Sequence, residues 1–118
     1  MIELILAHLC DRGLDFSDYP EALQHFFTYV ARTGLRERLA FADYYQPSVV
    51  GPFSEPIQII DPVNAKNNVS RLYTAAEADI IVDAALEAGD AIDAALAAPT
   101  KGETVAYWQK VFGSSFQV

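Results

Sequence analysis

Apolar and polar positions along this chain follow a helical period in four places, and shorter runs lie between them. From Ile2 to Arg12, the residues Leu4, Ile5, His8 and Leu9 share one helical face, and Ile2, Leu6 and Cys10 widen it. Gly13 suits the C-terminal cap, whereas the helix starts at Met1 with no capping side chain ahead of it. Ser17-Asp18-Tyr19-Pro20-Glu21 then reads as a helix start. Asp18 can accept from the first free N–H groups, Glu21 stands in capping-box relation, and Pro20 falls in the first turn, where its missing N–H costs little. Leu23, Phe26, Phe27 and Val30 form the apolar stripe of this second helix, and Gly34 ends it.

The middle of the chain changes period. Leu39 to Tyr45 and Ile57 to Ile60 are short strand candidates, punctuated by Gly51-Pro52 and Ser54-Glu55-Pro56. They form either a small ribbon or simply extended chain, and in both cases must pack on helices. Asn67 to about Tyr73 reads as a helical turn or short helix. Thr74-Ala75-Ala76-Glu77 repeats the capping-box pattern, and an alanine-dense stretch without proline predicts a long helix to about Ala98. Ile81, Ala85, Ala88, Ile92 and Leu96 make its expected buried stripe, while Asp79, Asp83, Glu87 and Asp90 line a solvated acidic face. Pro99 ends that helix, and Thr100 to Glu103 opens the last one, which carries Val105, Trp108, Val111 and Phe112 before Gly113. The expectation is a mainly α fold: one small domain over 1–118, with four to five helices and a short extended or two-stranded segment.

Composition narrows the function classes. Eight Lys and Arg against sixteen Asp and Glu give a formal net charge of −8. Such a field repels nucleic-acid backbones, so no direct nucleic-acid partner is expected. Cys10 is the only cysteine, which allows neither an internal disulfide nor a thiolate metal cage and fits a reducing cytoplasm. No apolar run reaches the ~18 residues of a membrane span, so no membrane partner is expected. A hydrophobic share of 52% leaves apolar surface for a protein partner.

Catalytic patterns are missing. The only Gly-Ser pair is Gly113-Ser114, with no carboxylates after it, and no Asp-x-Asp or Asp-x-Glu follows a strand. His8 and His25 belong to separate helices, and His8 and Cys10 stand on opposed sides of theirs, which defeats proton transfer between them. There is no glycine-rich phosphate loop and no zinc spacing. No catalytic residue, metal ligand or cofactor is expected within this chain.

Residues 57 to 70 carry the most information. Ile57-Gln58-Ile59-Ile60 ends in Asp61-Pro62, a turn through Asn64 follows, and Asn67-Asn68 opens the next segment. The Asp61 carboxylate can accept N–H groups of the turn, Pro62 stops the strand, and Asn67 can cap a following helix with Asn68 in its first turn. This run resembles the "IxDPxNPxNN(V/L)" signature in the C-terminal helical domain of template-independent nucleotidyltransferases: oligoadenylate synthetase and the cGAS/DncV-like second-messenger synthases of bacterial anti-phage defence. Ala65 departs from the pattern, where the family usually has proline. Ile2-Glu3-Leu4, Phe26-Phe27-x-x-Val30 and Phe41-x-Asp43-Tyr44-Tyr45 resemble further family stretches in the same order.

The resemblance implies a domain that packs on a catalytic lobe, walls the nucleotide cleft and helps select the base. Asn67 or Asn68 would face the ligand, with Asp61, Pro62 and Asn64 as structural motif residues. Mg²⁺ and a nucleoside triphosphate are implied only for a longer parent enzyme, since the catalytic half is absent here. The chain alone is therefore expected to be inactive, and its partner is a catalytic lobe in cis or trans. The alternative is a stand-alone acidic helical interaction module that forms a homodimer.

Overall fold

The computed structural model describes residues 1–116. Four α-helices account for most of it: α1 (Ile2–Asp11), α2 (Tyr19–Thr33), α3 (Ala75–Ala97) and α4 (Lys101–Phe112). A single 3-10 turn, Pro47–Val49, interrupts the long α2–α3 connection. α3 packs along both α2 and α4, and α1 lies more lightly on α2. Because 23 residues of α3 span about 35 Å at ~1.5 Å per residue, the molecule is elongated, 52 × 31 × 22 Å.

The helix boundaries follow local chemistry. Asp18 accepts from the Glu21 N–H at 3.1 Å and caps α2. At its other end Gly34 takes the left-handed conformation, φ 62°, which a side chain would resist. Thr74 and Glu77 close a reciprocal capping box at the start of α3, each bond 3.1 Å. Thr100 caps α4 through the Glu103 N–H. Met1 makes no side-chain capping bond to α1.

The core gathers Ile5 of α1, Tyr29 and Val30 of α2, Ala78 and Ala85 of α3, and Leu35, Leu39, Ile57 and Ile59 from the connections. Each fully buried isoleucine contributes about 1.5–3 kcal/mol relative to exposure, so the short Ile57–Ile60 run is a main anchor although it belongs to no sheet. Leu39 joins Ile59 in a single parallel bridge, and Ile60 joins Asn68 in a single antiparallel one.

Three expectations need correction. Leu39 to Tyr45 is not a strand: only Leu39 bridges, and the chain turns at once, with the Tyr44 N–H bonded to the Phe41 carbonyl. Asn67 to Tyr73 forms turns rather than a helix, because the Asn68 side chain is drawn into the core and its backbone pairs with Ile60. On α3 the buried stripe is Ala78, Ala85, Ala91, Ile92 and Ala95, whereas Leu96 is exposed. Small alanines allow close approach of α2 and α4, and that contact rotates the buried face away from Leu96. The acidic residues Asp79, Asp83, Glu87 and Asp90 are exposed.

Candidate functional site

The Asp61–Asn68 segment is a closed loop standing on the buried isoleucines. Asp61 forms an Asx turn, accepting from the Val63 N–H at 2.8 Å. Asn64 repeats the device three residues later, accepting from the Lys66 N–H at 3.0 Å. Pro62 fits the first of these turns because its fixed φ needs no donor there. The neck is tied by the Asp61 N–H, which donates to the Asn67 carbonyl at 2.9 Å, and by the Asn67 side-chain amide, which donates to Asp61 Oδ2 at 3.3 Å. Arg71 donates to Asn67 Oδ1 at 3.3 Å and continues the chain outward. The backbone and side-chain donors hold the Asp61 carboxyl below its ordinary value, the Val63 N–H first among them. Val63 at the tip is 92% exposed.

Beneath this loop Asn68 is 1% exposed. Its oxygen accepts from the backbone N–H groups of Ile59 and Ser70, both at 3.0 Å. Its nitrogen donates to the Ile57 carbonyl at 2.8 Å and more distantly to Glu55. The paired asparagines therefore have separate places. Asn68 is turned into the chain, with its amide bonded to backbone groups on both sides. Asn67 is half-buried at the lip, between Asp61 and Arg71. Asp61, Pro62 and Asn64 come together with Asn67 in one turn-stabilised unit.

Two contributors had no signal in the motif. Glu55 reaches Asn68 from thirteen residues away, and Arg71 extends the polar lip. A charged residue four positions after Asn67 is the cue that could have marked Arg71. The other candidate groups stay apart: His8 lies on α1 against the Tyr29 ring, His25 pairs with Glu21 on α2, and Cys10 is exposed. Among the described residues no three His, Cys, Asp or Glu side chains cluster as metal ligands, and no helix is long and apolar enough to cross a membrane. The loop can present a polar, preorganised edge to a neighbour. It holds no nucleophile with an adjacent base.

This mainly helical fold, with its clamped Asp-Pro loop, matches the helical C-terminal portion of cGAS/DncV-like nucleotidyltransferases. The proteins that place it there are specific. It is 66% identical over 117 residues to the cyclic AMP-AMP-AMP synthase of Escherichia coli (strain MS 115-1), covering 99% of this chain and 36% of the synthase. It is 32% identical over 117 residues to the CBASS oligonucleotide cyclase CdnC of Escherichia coli (strain KTE188), covering 99% of this chain and 35% of the cyclase. The solved structure of E. coli MS115-1 CdnC with ATP superposes with a TM-score of 0.94 at 65% identity, over 98% of this chain and 36% of that one. The CdnC:HORMA-deltaN complex gives 0.92 at 65% identity, over 98% and 37%. No protein-family profile matches the chain. The chain thus spans about a third of the length of these relatives and matches their C-terminal portion.

Proposed function

We propose that this chain is the helical wall of the substrate cleft in an oligonucleotide-synthesising nucleotidyltransferase of the anti-phage type. The observation that supports it is the 66% identity to a cyclic AMP-AMP-AMP synthase along 99% of the chain. In this reading the Asp61–Asn67 lip borders the cleft, with Asn67 the candidate contact to nucleotide and Asn68 its buried support. The metal-binding carboxylates, Mg²⁺ and the triphosphate belong to a catalytic lobe in cis or trans, since this sequence carries no Asp-x-Asp pair and its only Gly-Ser, Gly113-Ser114, has no carboxylates after it. A HORMA partner, seen with one solved relative, is a candidate partner of the assembled enzyme.

The test is a fusion in which this chain replaces the matching portion of the E. coli MS 115-1 synthase. Mg²⁺-dependent consumption of ATP by the fusion supports the reading. A fusion that folds, by circular dichroism and sizing, yet makes no product overturns it. Turnover by the isolated 118-residue chain would overturn the assignment of the chemistry to another lobe.

A second reading rests on exposed apolar side chains. Leu72 is 83% exposed, and Ile80 of α3 and Phe112 of α4 are also uncovered. A surface of this kind suits a second copy of the chain. Light scattering on a sizing column separates the readings: a stable dimer favours self-association, and a monomer leaves the surface to a catalytic lobe.

A further inference from the structure

An open cavity of about 550 Å³ lies in the elbow between α1 and α2, far in sequence from the Asp61 loop. Its volume falls in the range of small-molecule sites, roughly 300–1,000 Å³. Leu9 and Leu14 give it apolar wall, Tyr29 lines it from α2, and Arg12 and Arg32 bring a guanidinium each from the ends of the two helices. Tyr29 is only 4% exposed; its hydroxyl bonds to no other described residue and keeps some contact with water. The tyrosine ring packs on His8 of α1, with centroids 5.9 Å apart.

We propose that this cavity binds a phosphate monoester with an apolar or aromatic body, its anion held by Arg12, Arg32 and the Tyr29 hydroxyl. Guanidinium forks match phosphate oxygens bidentately. The phenol supplies a neutral donor; partial burial pushes its ionisation up, Glu37 adds to this, and Arg12 and Arg32 oppose it. A bare phosphate would fill a small part of the space, so the Leu9 and Leu14 wall selects for an attached body.

The other charged groups facing the cavity are engaged locally. Both Asp15 oxygens accept from Ser17, Asp18 caps α2, and Glu21 meets His25. Neither Arg12 nor Arg32 has a carboxylate within ion-pair distance among the described residues. The two cations are thus available to an incoming anion, although the chain's net charge of −8 disfavours anions in general. This site is independent of the catalytic-lobe reading, because every group it needs lies between Leu9 and Arg32.

The probe is phenyl phosphate, titrated into the ¹⁵N-labelled 118-residue chain and followed by amide chemical shifts. Saturable shifts are expected at Arg12, Tyr29 and Arg32, with weaker binding of inorganic phosphate. Tyr29→Phe and Arg32→Gln each weaken the affinity about tenfold, the effect of losing one charge-assisted hydrogen bond. In parallel, phenyl phosphate raises the Tm of the fusion enzyme but not that of its Arg12→Gln, Arg32→Gln double variant. Shifts that never saturate, that fall on other surfaces, or that persist unchanged in Arg32→Gln overturn the proposal. Such a result leaves the fusion's ATP turnover, and the reading that rests on it, untouched.

Discussion

Asn68 and Ile59 are joined by a 3.0 Å hydrogen bond from the Ile59 backbone N–H to the Asn68 side-chain oxygen, and this bond links residues nine apart in the chain. The same oxygen receives the Ser70 N–H, and the amide nitrogen satisfies the Ile57 carbonyl. One buried side chain therefore replaces the sheet partner that the Ile57–Ile60 run lacks. Removing it leaves two N–H groups and a carbonyl unpaired in a dry environment. Asn68→Ala is expected to destabilise the chain by about 3 kcal/mol, read from the midpoint of urea denaturation. Asn68→Asp should cost a comparable amount, because a carboxylate there would face the Ile57 carbonyl.

Asp61 acts at the surface, and its effect should be local. Asp61→Ala frees the Val63 N–H and the Asn67 amide, but both can turn to water. Global stability should change little, with the urea midpoint close to that of the unaltered chain. Amide exchange at Val63 and Asn67 should accelerate while exchange in α3 stays constant. The folded carboxyl is held below its ordinary value of 3.8. Its contribution is therefore complete above that value and lost as pH falls through the lower folded one. The acid limb of a stability-versus-pH curve should be shallower in Asp61→Asn.

His8 gives a second, separate pH window. Its Nε2 is buried without a partner. Burial first, and then Arg12, push its pKa below 6.5, while Glu37 and Asp11 pull upward. The unfolded chain thus binds a proton more readily than the folded one. Stability from this group is full above 6.5 and declines as pH falls through the depressed folded value. The urea midpoint should drop between about pH 7.5 and pH 5.5. His8→Phe, which keeps a ring against Tyr29, should flatten that drop.

Gly89 lies within α3, where a glycine weakens a helix. A Cβ added there would meet only Phe27 Cβ, at 3.7 Å, an ordinary contact. Gly89→Ala is expected to raise stability by about 0.5–1 kcal/mol, measurable as a higher Tm. If stability falls instead, the α2–α3 approach is tighter than this contact distance indicates.

The capping box of α3 offers a control of known size. Thr74→Ala removes the acceptor of the Glu77 N–H, and a loss of about 1 kcal/mol is expected. A much larger loss would mean that the Ser70–Thr74 entry into α3 depends on this cap.

The helices were legible because their signals are local. Asp18, Thr74 and Thr100 each cap the helix that the sequence assigned to them, and Gly34 ends α2 as its position suggested. The region between α2 and α3 was less so. Apolar residues at Leu39 to Tyr45 look like a strand in isolation, but a strand requires a partner, and only Leu39 finds one. Leu96 fits the periodic stripe of α3, yet where that stripe faces is set by α2 and α4. The Asp-Pro loop was visible as a motif and its Asx turn followed from Asp61 itself. The division of labour between Asn67 and Asn68 was not visible, since adjacent asparagines read alike until one of them meets the core.

The sequence by itself determined the four long helices, their caps and the likeness to this enzyme family, because propensity, capping and motif order act over a few residues at a time. Tertiary structure decided that Asn68 is a buried clamp, that the Ile57–Ile60 run is anchored without a sheet, and that Tyr29 lines one cavity with Arg12 and Arg32. Each of these depends on groups brought together from distant parts of the chain, where burial removes water and makes every unpaired polar atom costly.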